Sequence, residues 1–264
     1  MNLASILWII LIQLSGHIAI AQSNCYTYSQ IVFNSNVLKE KIKIGIFLPE
    51  SYNKNQKHKS IYVLDGDYLA PVVAANLESL SNPSRPVSCI VIALTSTNRQ
   101  RDFTPKSDGT PSQLAGSGGA DPFLEYVEKE LIPMIETKFN ADTNRIIIGH
   151  SIGGLLAYYS ILKNPTLFTS IISIDGSLWW NEGRIGKAII EKLTHTPNFR
   201  GEIFECRKDI SQPVQFKPNL ELLKYLAFNR PPGLHYNYLE IKNATHATIV
   251  YPGIYYGIKQ VVYK

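Results

Sequence analysis

With 264 residues, 45% of them apolar, the chain is long enough to bury a large core, and one α/β domain of this size is the default reading. A net charge of +5, with the lysines spread along the chain, excludes a nucleic-acid-binding stripe. The three cysteines are an odd count with no Cys/His spacing for zinc, so a complete disulfide framework and a structural metal site are excluded as well.

In chain order, Ile6 to Ile12 is an apolar run too short to span a bilayer, and Ala19-Ile20-Ala21 follows before Gln22. This is the pattern of a secretory signal over residues 1–21, cleaved after Ala21, with the folded domain over 22–264. It predicts export to a periplasm or the medium, with no stable membrane insertion after cleavage. No Lys or Arg follows Met1, which keeps an uncleaved anchor as the alternative. Tyr26 to Phe33 and Glu40 to Leu48 then read as two β-rich stretches opening the sheet; in the second, lysines alternate with isoleucines as on a strand with one solvated face.

Ser60 to Leu64 and Cys89 to Leu94 are short continuous apolar runs, the signature of parallel strands covered on both faces. Ala70 to Leu80 between them has helical character. Thr104 to Ala120, rich in Gly, Ser, Pro and Thr, reads as a loop. Asp121 or a nearby small residue caps a helix over Pro122–Ile132. Further on, Thr169–Ile174 is a strand, Arg184–Leu193 a helix, Ile203–Cys206 a strand and Leu220–Phe228 a helix. Tyr236–Ile241 is the last strand and Gly257–Lys264 a terminal helix. The alternation predicts a single-domain α/β fold whose central sheet is mostly parallel and flanked by helices.

The pentapeptide Gly149-His150-Ser151-Ile152-Gly153 lies between the apolar run Arg145–Ile148 and a helix-forming segment. A serine on such a strand-to-helix turn needs a strained backbone that small neighbours permit, and Gly149 and Gly153 fill that role in the pattern. This is the nucleophile elbow of an α/β-hydrolase. A serine hydroxyl attacks an acyl carbon only when a base takes its proton, so the motif demands a histidine and an acid elsewhere.

In this fold class the order along the chain is serine, acid, histidine. Of the six histidines, His246 is the candidate base: it lies in the polar loop Asn243–Thr248 just after the last strand, where the carboxyl end of a sheet presents catalytic groups. His150 occupies the variable elbow position, from which its ring does not turn easily onto its neighbour. The acid should follow the strand Ile203–Cys206, which favours Asp209, with Glu205 and Asp175 as rivals. Oxyanion donors are expected from the N–H groups of Ile152, next to the nucleophile, and of Asp67, in the Gly66-bearing loop after Leu64. No further acidic cluster lies near Asp65 and Asp67 in sequence, so no metal is expected there.

Several segments extend the likeness: Tyr62-Val63-Leu64-Asp65-Gly66-Asp67, Asn98 to Pro105, Ser117-Gly118-Gly119-Ala120, Glu130-Leu131-Ile132-Pro133, Gly149 to Gly154 and Ser177-Leu178-Trp179-Trp180. On these the chain resembles the putative-esterase family of α/β-hydrolases, which includes enterochelin-type siderophore esterases, feruloyl and acetyl xylan esterases and S-formylglutathione hydrolase. The set is most similar to the siderophore-esterase-like branch. The resemblance implies Ser151 as nucleophile, His246 as base and an acid near Asp209. Relatives often carry a Gly-rich, Glu-containing segment after that strand, whereas this chain has Cys206-Arg207-Lys208-Asp209. It further implies a serine carboxylesterase that cleaves a small-molecule ester through an acyl-enzyme and needs no cofactor. A feruloyl or acetyl esterase acting on plant polysaccharide and a catalytically silent binding protein are the alternatives. Trp179, Trp180, Tyr68 and Phe103 are candidates for an aromatic substrate wall. Arg99 and Arg101 are candidates for an anionic or catecholate group, although Arg101 beside Asp102 also fits a structural ion pair.

Overall fold

A computed structural model describes residues 26–84, 86, 88–107, 116–209 and 219–263. The expected signal over 1–21, Cys25 and the middle of the Thr104–Ala120 segment lie outside those residues. Strands β1 (Tyr26–Asn34) and β2 (Lys41–Pro49) pair antiparallel at one edge of an eight-stranded sheet. In β2 the period-2 alternation holds: Lys41 and Lys43 face solvent while Ile42, Ile44 and Ile46 are buried. The next strands are β3 (His58–Leu64), β4 (Cys89–Leu94), β5 (Ala141–His150), β6 (Ser170–Ile174), β7 (Gly201–Lys208) and β8 (Leu234–Ile241).

The sheet order is β1-β2-β4-β3-β5-β6-β7-β8, and every pairing from β4 to β8 is parallel. Such strands are buried on both faces, which is why β4 reads as an unbroken apolar run and every residue of β6, its two serines included, is buried. After β3 the chain steps outward to β4 and then returns to the other side of β3 as β5. The order therefore reverses between β3 and β5, and the crevice at the carboxyl ends of strands around such a reversal is where open α/β sheets bind ligands.

Helices cover both faces. α1 (Gly66–Leu80) and α8 (Val250–Val261) pack on the face lined by Ile61, Val63, Val91, Ile148, Ile172 and Phe204. The opposite face carries α2 (Arg99–Phe103), α3 (Ala120–Tyr126), α4 (Ile132–Phe139), α5 (Ile152–Lys163), α6 (Arg184–Thr194) and α7 (Leu220–Phe228). Among the described residues no helix is long and apolar enough to cross a membrane.

The helix expected over Pro122–Ile132 is longer, running from α3 through a π-helical turn at Val127–Leu131 into α4. Its N-cap is Gly119, while Asp121 accepts a hydrogen bond from the Tyr159 hydroxyl at 2.7 Å. The terminal helix starts at Val250, ahead of the expected Gly257. Pro252 and Gly253 look like breakers, but Pro252 sits in the first turn, where its missing N–H would have no helical partner anyway. The glycines serve packing: a Cβ on Gly257 would lie 2.5 Å from Ile172 Cγ2, and one on Gly253 2.7 Å from Ile174 Cγ2. α8 therefore presses directly onto β6, which also fixes the loop that enters it, the loop bearing His246.

Candidate active site

Ser151 joins β5 to α5 with φ 60° and ψ −122°, a left-handed conformation that costs a non-glycine residue roughly 1–2 kcal/mol. The surroundings hold it there. The Ser151 N–H donates to the Ile174 carbonyl at 3.0 Å, and the Ser151 carbonyl accepts from the Ser177 N–H at 2.9 Å. Both bonds tie the turn to the end of β6. A Cβ on Gly149 would fall 2.3 Å from the Gly153 carbonyl, so that glycine is required. The second required glycine is Gly154 and not the expected Gly153. A Cβ at 154 meets Gly176 Cα at 2.8 Å, whereas one at 153 stands 3.5 Å from Leu64, an ordinary contact. The Ser151 hydroxyl lies 3.4 Å from that of Ser177.

His246 presents Nδ1 to Asp175 Oδ2 at 2.6 Å; its side chain is 47% exposed and that of Asp175 4%. The carboxylate on the histidine is therefore Asp175, at the end of β6, and not Asp209, which stands just past the end of β7. The physical reason is which group β7 sends inward. Arg207, buried, places Nη2 3.4 Å from Asp175 Oδ1 and donates through Nη1 to the Gly176 carbonyl at 3.0 Å and to Glu205 Oε1 at 2.9 Å. Asp175 has φ 45°, and its N–H donates to the Cys206 carbonyl at 2.7 Å, which turns the carboxylate back over the sheet edge. Burial alone would raise the Asp175 pKa, but the His246 hydrogen bond and the Arg207 charge outweigh it and hold the carboxyl below its usual range. Glu205, wholly buried, is pushed upward by burial against the pull of Arg207. In sequence Asp175 stands in an Asp-Gly pair directly after β6, a turn signal that tolerates a left-handed residue but does not by itself single out Asp175 over Asp209 and Glu205.

His150 is a site residue that sequence reasoning passed over. Its ring centroid lies 4.5 Å from that of His246, and Nε2 stands 2.8 Å from the His246 carbonyl oxygen. Burial, then the neighbouring His246, lowers its pKa to about 4, so near neutral pH it is an uncharged donor that ties the elbow to the base's loop. The His150 carbonyl accepts from Arg99 Nη2 at 3.2 Å, and Arg99 in turn forms a two-pronged ion pair with Asp65, at the end of β3. Arg99 is thus part of the scaffold between β3 and β5.

Ile152 and Asp67 are the first and second residues of α5 and α1, positions whose N–H groups have no intrahelical acceptor. Both helices start on the same sheet edge, one on each side of the strand-order reversal. A cleft of about 270 Å³ opens beside Asp67, lined by Tyr28, Phe47, Gly66, Asp67, Pro71 and Ala93. The expected aromatic wall is only partly present. Tyr68 is exposed, and Trp179 is half-buried against the core. Trp180, by contrast, is a core residue whose Nε1 donates to the Pro105 carbonyl at 3.2 Å, and Phe103 is fully buried. Arg101 does not reach for a substrate: it is engaged by Asp102 and Glu40, each at 2.6 Å, and clamps α2 to the turn before β2. Among the described residues, no group of three or more His, Cys, Asp or Glu side chains stands together as metal ligands would.

A mostly parallel eight-stranded sheet in this order, with a strained serine after β5 and a carboxylate-bound histidine after β8, defines an α/β-hydrolase. Residues 35–202 match the family model described as "Putative esterase", and the chain belongs to that family. It is 32% identical over 144 residues to the uncharacterized protein YbbA of Bacillus subtilis, covering 52% of this chain and 58% of that one. Against the ferri-bacillibactin esterase BesA of the same species the identity is 29% over 168 residues, 59% of this chain and 58% of BesA. The chain thus spans little more than half the length of these relatives. Among solved structures, the IroE-like serine hydrolase from Shewanella oneidensis superposes with a TM-score of 0.78 at 27% identity, covering 89% of this chain and 79% of that one.

Proposed function

We propose that the protein is a serine hydrolase that cleaves a carboxylic ester through an acyl-enzyme. One observation carries this reading: a buried carboxylate, Asp175, fixes Nδ1 of His246 on the same sheet edge as a serine held in the elbow conformation. With Nδ1 donating to Asp175, Nε2 of His246 is the free basic nitrogen. As Ser151 Oγ attacks the acyl carbon, Nε2 takes its proton, and the N–H groups of Ile152 and Asp67 stabilise the oxyanion. Collapse breaks the bond to the alkoxy group, which leaves with the proton from the imidazolium. Water then repeats the sequence on the acyl-serine, releasing the acid and restoring Ser151. No cofactor enters these steps.

The substrate class we infer is a siderophore-type ester. The name of BesA, the description of the Shewanella protein as IroE-like and the sequence segments shared with the siderophore-esterase-like branch support it. Export is part of the same proposal and rests on the Ile6–Ile12 run followed by Ala19-Ile20-Ala21; cell fractionation with mass determination of the mature N-terminus tests it. For the chemistry, wild type and Ser151→Ala are compared with a fluorophosphonate probe and short p-nitrophenyl esters. Labelling and turnover confined to wild type are the expected result, and their absence from wild type would sink the hydrolase reading.

A further inference from the structure

β7 contributes no acid to His246; it contributes a buried ion pair behind one. Arg207 and Glu205 are 4% and 0% exposed, so neither can touch a substrate, and burying two charges is costly unless the arrangement compensates them. The guanidinium is placed with purpose: Nη2 faces Asp175 Oδ1, while Asp175 Oδ2 holds His246 Nδ1. The two oxygens of one carboxylate are thus divided between a fixed cation and the histidine. Arg207 Nη1 also grips the Gly176 carbonyl, bracing the backbone next to the left-handed Asp175. Glu205 balances the guanidinium from the far side, and the Tyr158 and Ser173 hydroxyls face its carboxylate without completing bonds of good geometry.

We propose that Arg207, held by Glu205, is a positioning residue for the His246–Asp175 pair: it orients the Asp175 carboxylate and sets how much negative charge that carboxylate offers the imidazole. The inference rests on the hydrolase reading for its kinetic consequence, but not for its electrostatic one. The titratable groups packed around the set are Tyr158 from α5, His150 from β5, Cys206 and Lys208 from β7, and Tyr236 and Tyr238 from β8. Burial pushes the three phenols and the Cys206 thiol upward and His150 down to about 4. The charges that geometry pairs behind the imidazole are Asp175, Arg207 and Glu205, with Arg207 Nη1 2.9 Å from Glu205 Oε1 and Nη2 3.4 Å from Asp175 Oδ1.

Removing the cation leaves more of the Asp175 charge to the imidazolium; removing Glu205 leaves the cation uncompensated and does the reverse. The test is an NMR titration of the His246 imidazole in Ser151→Ala protein, which needs no turnover, carrying in addition Arg207→Met or Glu205→Gln. His246 is expected to titrate at higher pH with Arg207→Met and at lower pH with Glu205→Gln. In the Ser151-containing proteins, kcat per probe-titrated site should fall about 10- to 100-fold in Arg207→Met with KM little changed, the size of effect a misplaced catalytic group produces. Normalising to titrated sites removes any misfolded fraction, and Glu205→Gln gives a second reading if Arg207→Met does not fold. An unmoved titration in both variants, or two shifts of the same sign, overturns the proposal. If wild type shows no Ser151-dependent turnover, the hydrolase reading fails while the titration still decides the role of Arg207.

Discussion

The two halves of the site are built from different materials. The nucleophile half, β5 and α5, is made of backbone: a left-handed serine, two main-chain bonds to β6 and glycines that let strand and helix touch. The base half, spread over the ends of β6, β7 and β8, is made of side-chain charge: Asp175, Arg207, Glu205 and His246 in one chain of contacts. Backbone geometry of that kind is specified within a few residues. The charge chain brings together positions 71 residues apart, so no local pattern encodes it.

The largest expected effect falls on the charge half. Asp175→Asn, which keeps the shape but favours the wrong imidazole tautomer, should lower kcat for p-nitrophenyl ester hydrolysis by roughly a thousandfold or more. Asp209→Asn should stay within about threefold, because its carboxylate is not the one on His246 Nδ1; equal losses in the two variants would erase the assignment. Next comes the backbone half. Gly149→Ala puts a methyl 2.3 Å from the Gly153 carbonyl, and thermal denaturation should show a loss of about 1–3 kcal/mol, together with collapse of probe labelling. Gly153→Ala, with 3.5 Å of room, should label almost as wild type.

The link between the halves, His150, gives a smaller and pH-dependent effect. In the folded chain it titrates at about 4 against an ordinary 6.5, with burial the main cause. As pH falls through 6.5 the unfolded chain takes the proton first, so folding loses stability on the way down to about 4, by up to roughly 3 kcal/mol. Urea denaturation at pH 7 and pH 4.5 measures it, and His150→Gln should narrow the gap between the two. The smallest effect concerns Arg101. Partly exposed and paired with Glu40 and Asp102, its replacement by Gln should leave KM within about twofold and cost on the order of 0.5–1 kcal/mol of stability. A large rise in KM would return it to the substrate side.

Most strands and helices were legible because their apolar runs are bounded by clear turn signals; Leu220–Phe228 matches the expected span residue for residue. Two helix bounds fall short of the observed elements, at Ile132 and at Gly257; beyond them stand Pro133 and the pair Pro252-Gly253, which the first turns of α4 and α8 and the packing of α8 on β6 accommodate. α2 escaped notice because its one turn depends on Asn98 accepting from the Arg101 N–H and on Phe103 burying itself, and neither produces a period. Ser151 could be read from its neighbours and His246 from chain order. Asp175 could not be separated from Asp209 and Glu205 without knowing that β7 turns Arg207 inward. Trp180 was misassigned for a similar reason: an aromatic pair in a loop looks the same in sequence whether it lines a pocket or fills a core.

Asp65, Ser151, Asp175 and Asn243 all carry positive φ, and each sits where a strand gives way to the loop beyond it. Each is a place where glycine would be more comfortable, by about 1 kcal/mol or more. At Asp175 the lost ion pair with buried Arg207 would outweigh that gain, but at Ser151 nothing comparable opposes it, so a search for hardier variants guided by thermal tolerance alone would be drawn to the nucleophile that the chemistry requires. Such a lineage would grow sturdier while falling silent, and durability in this scaffold has to be sought on the other rim of the sheet.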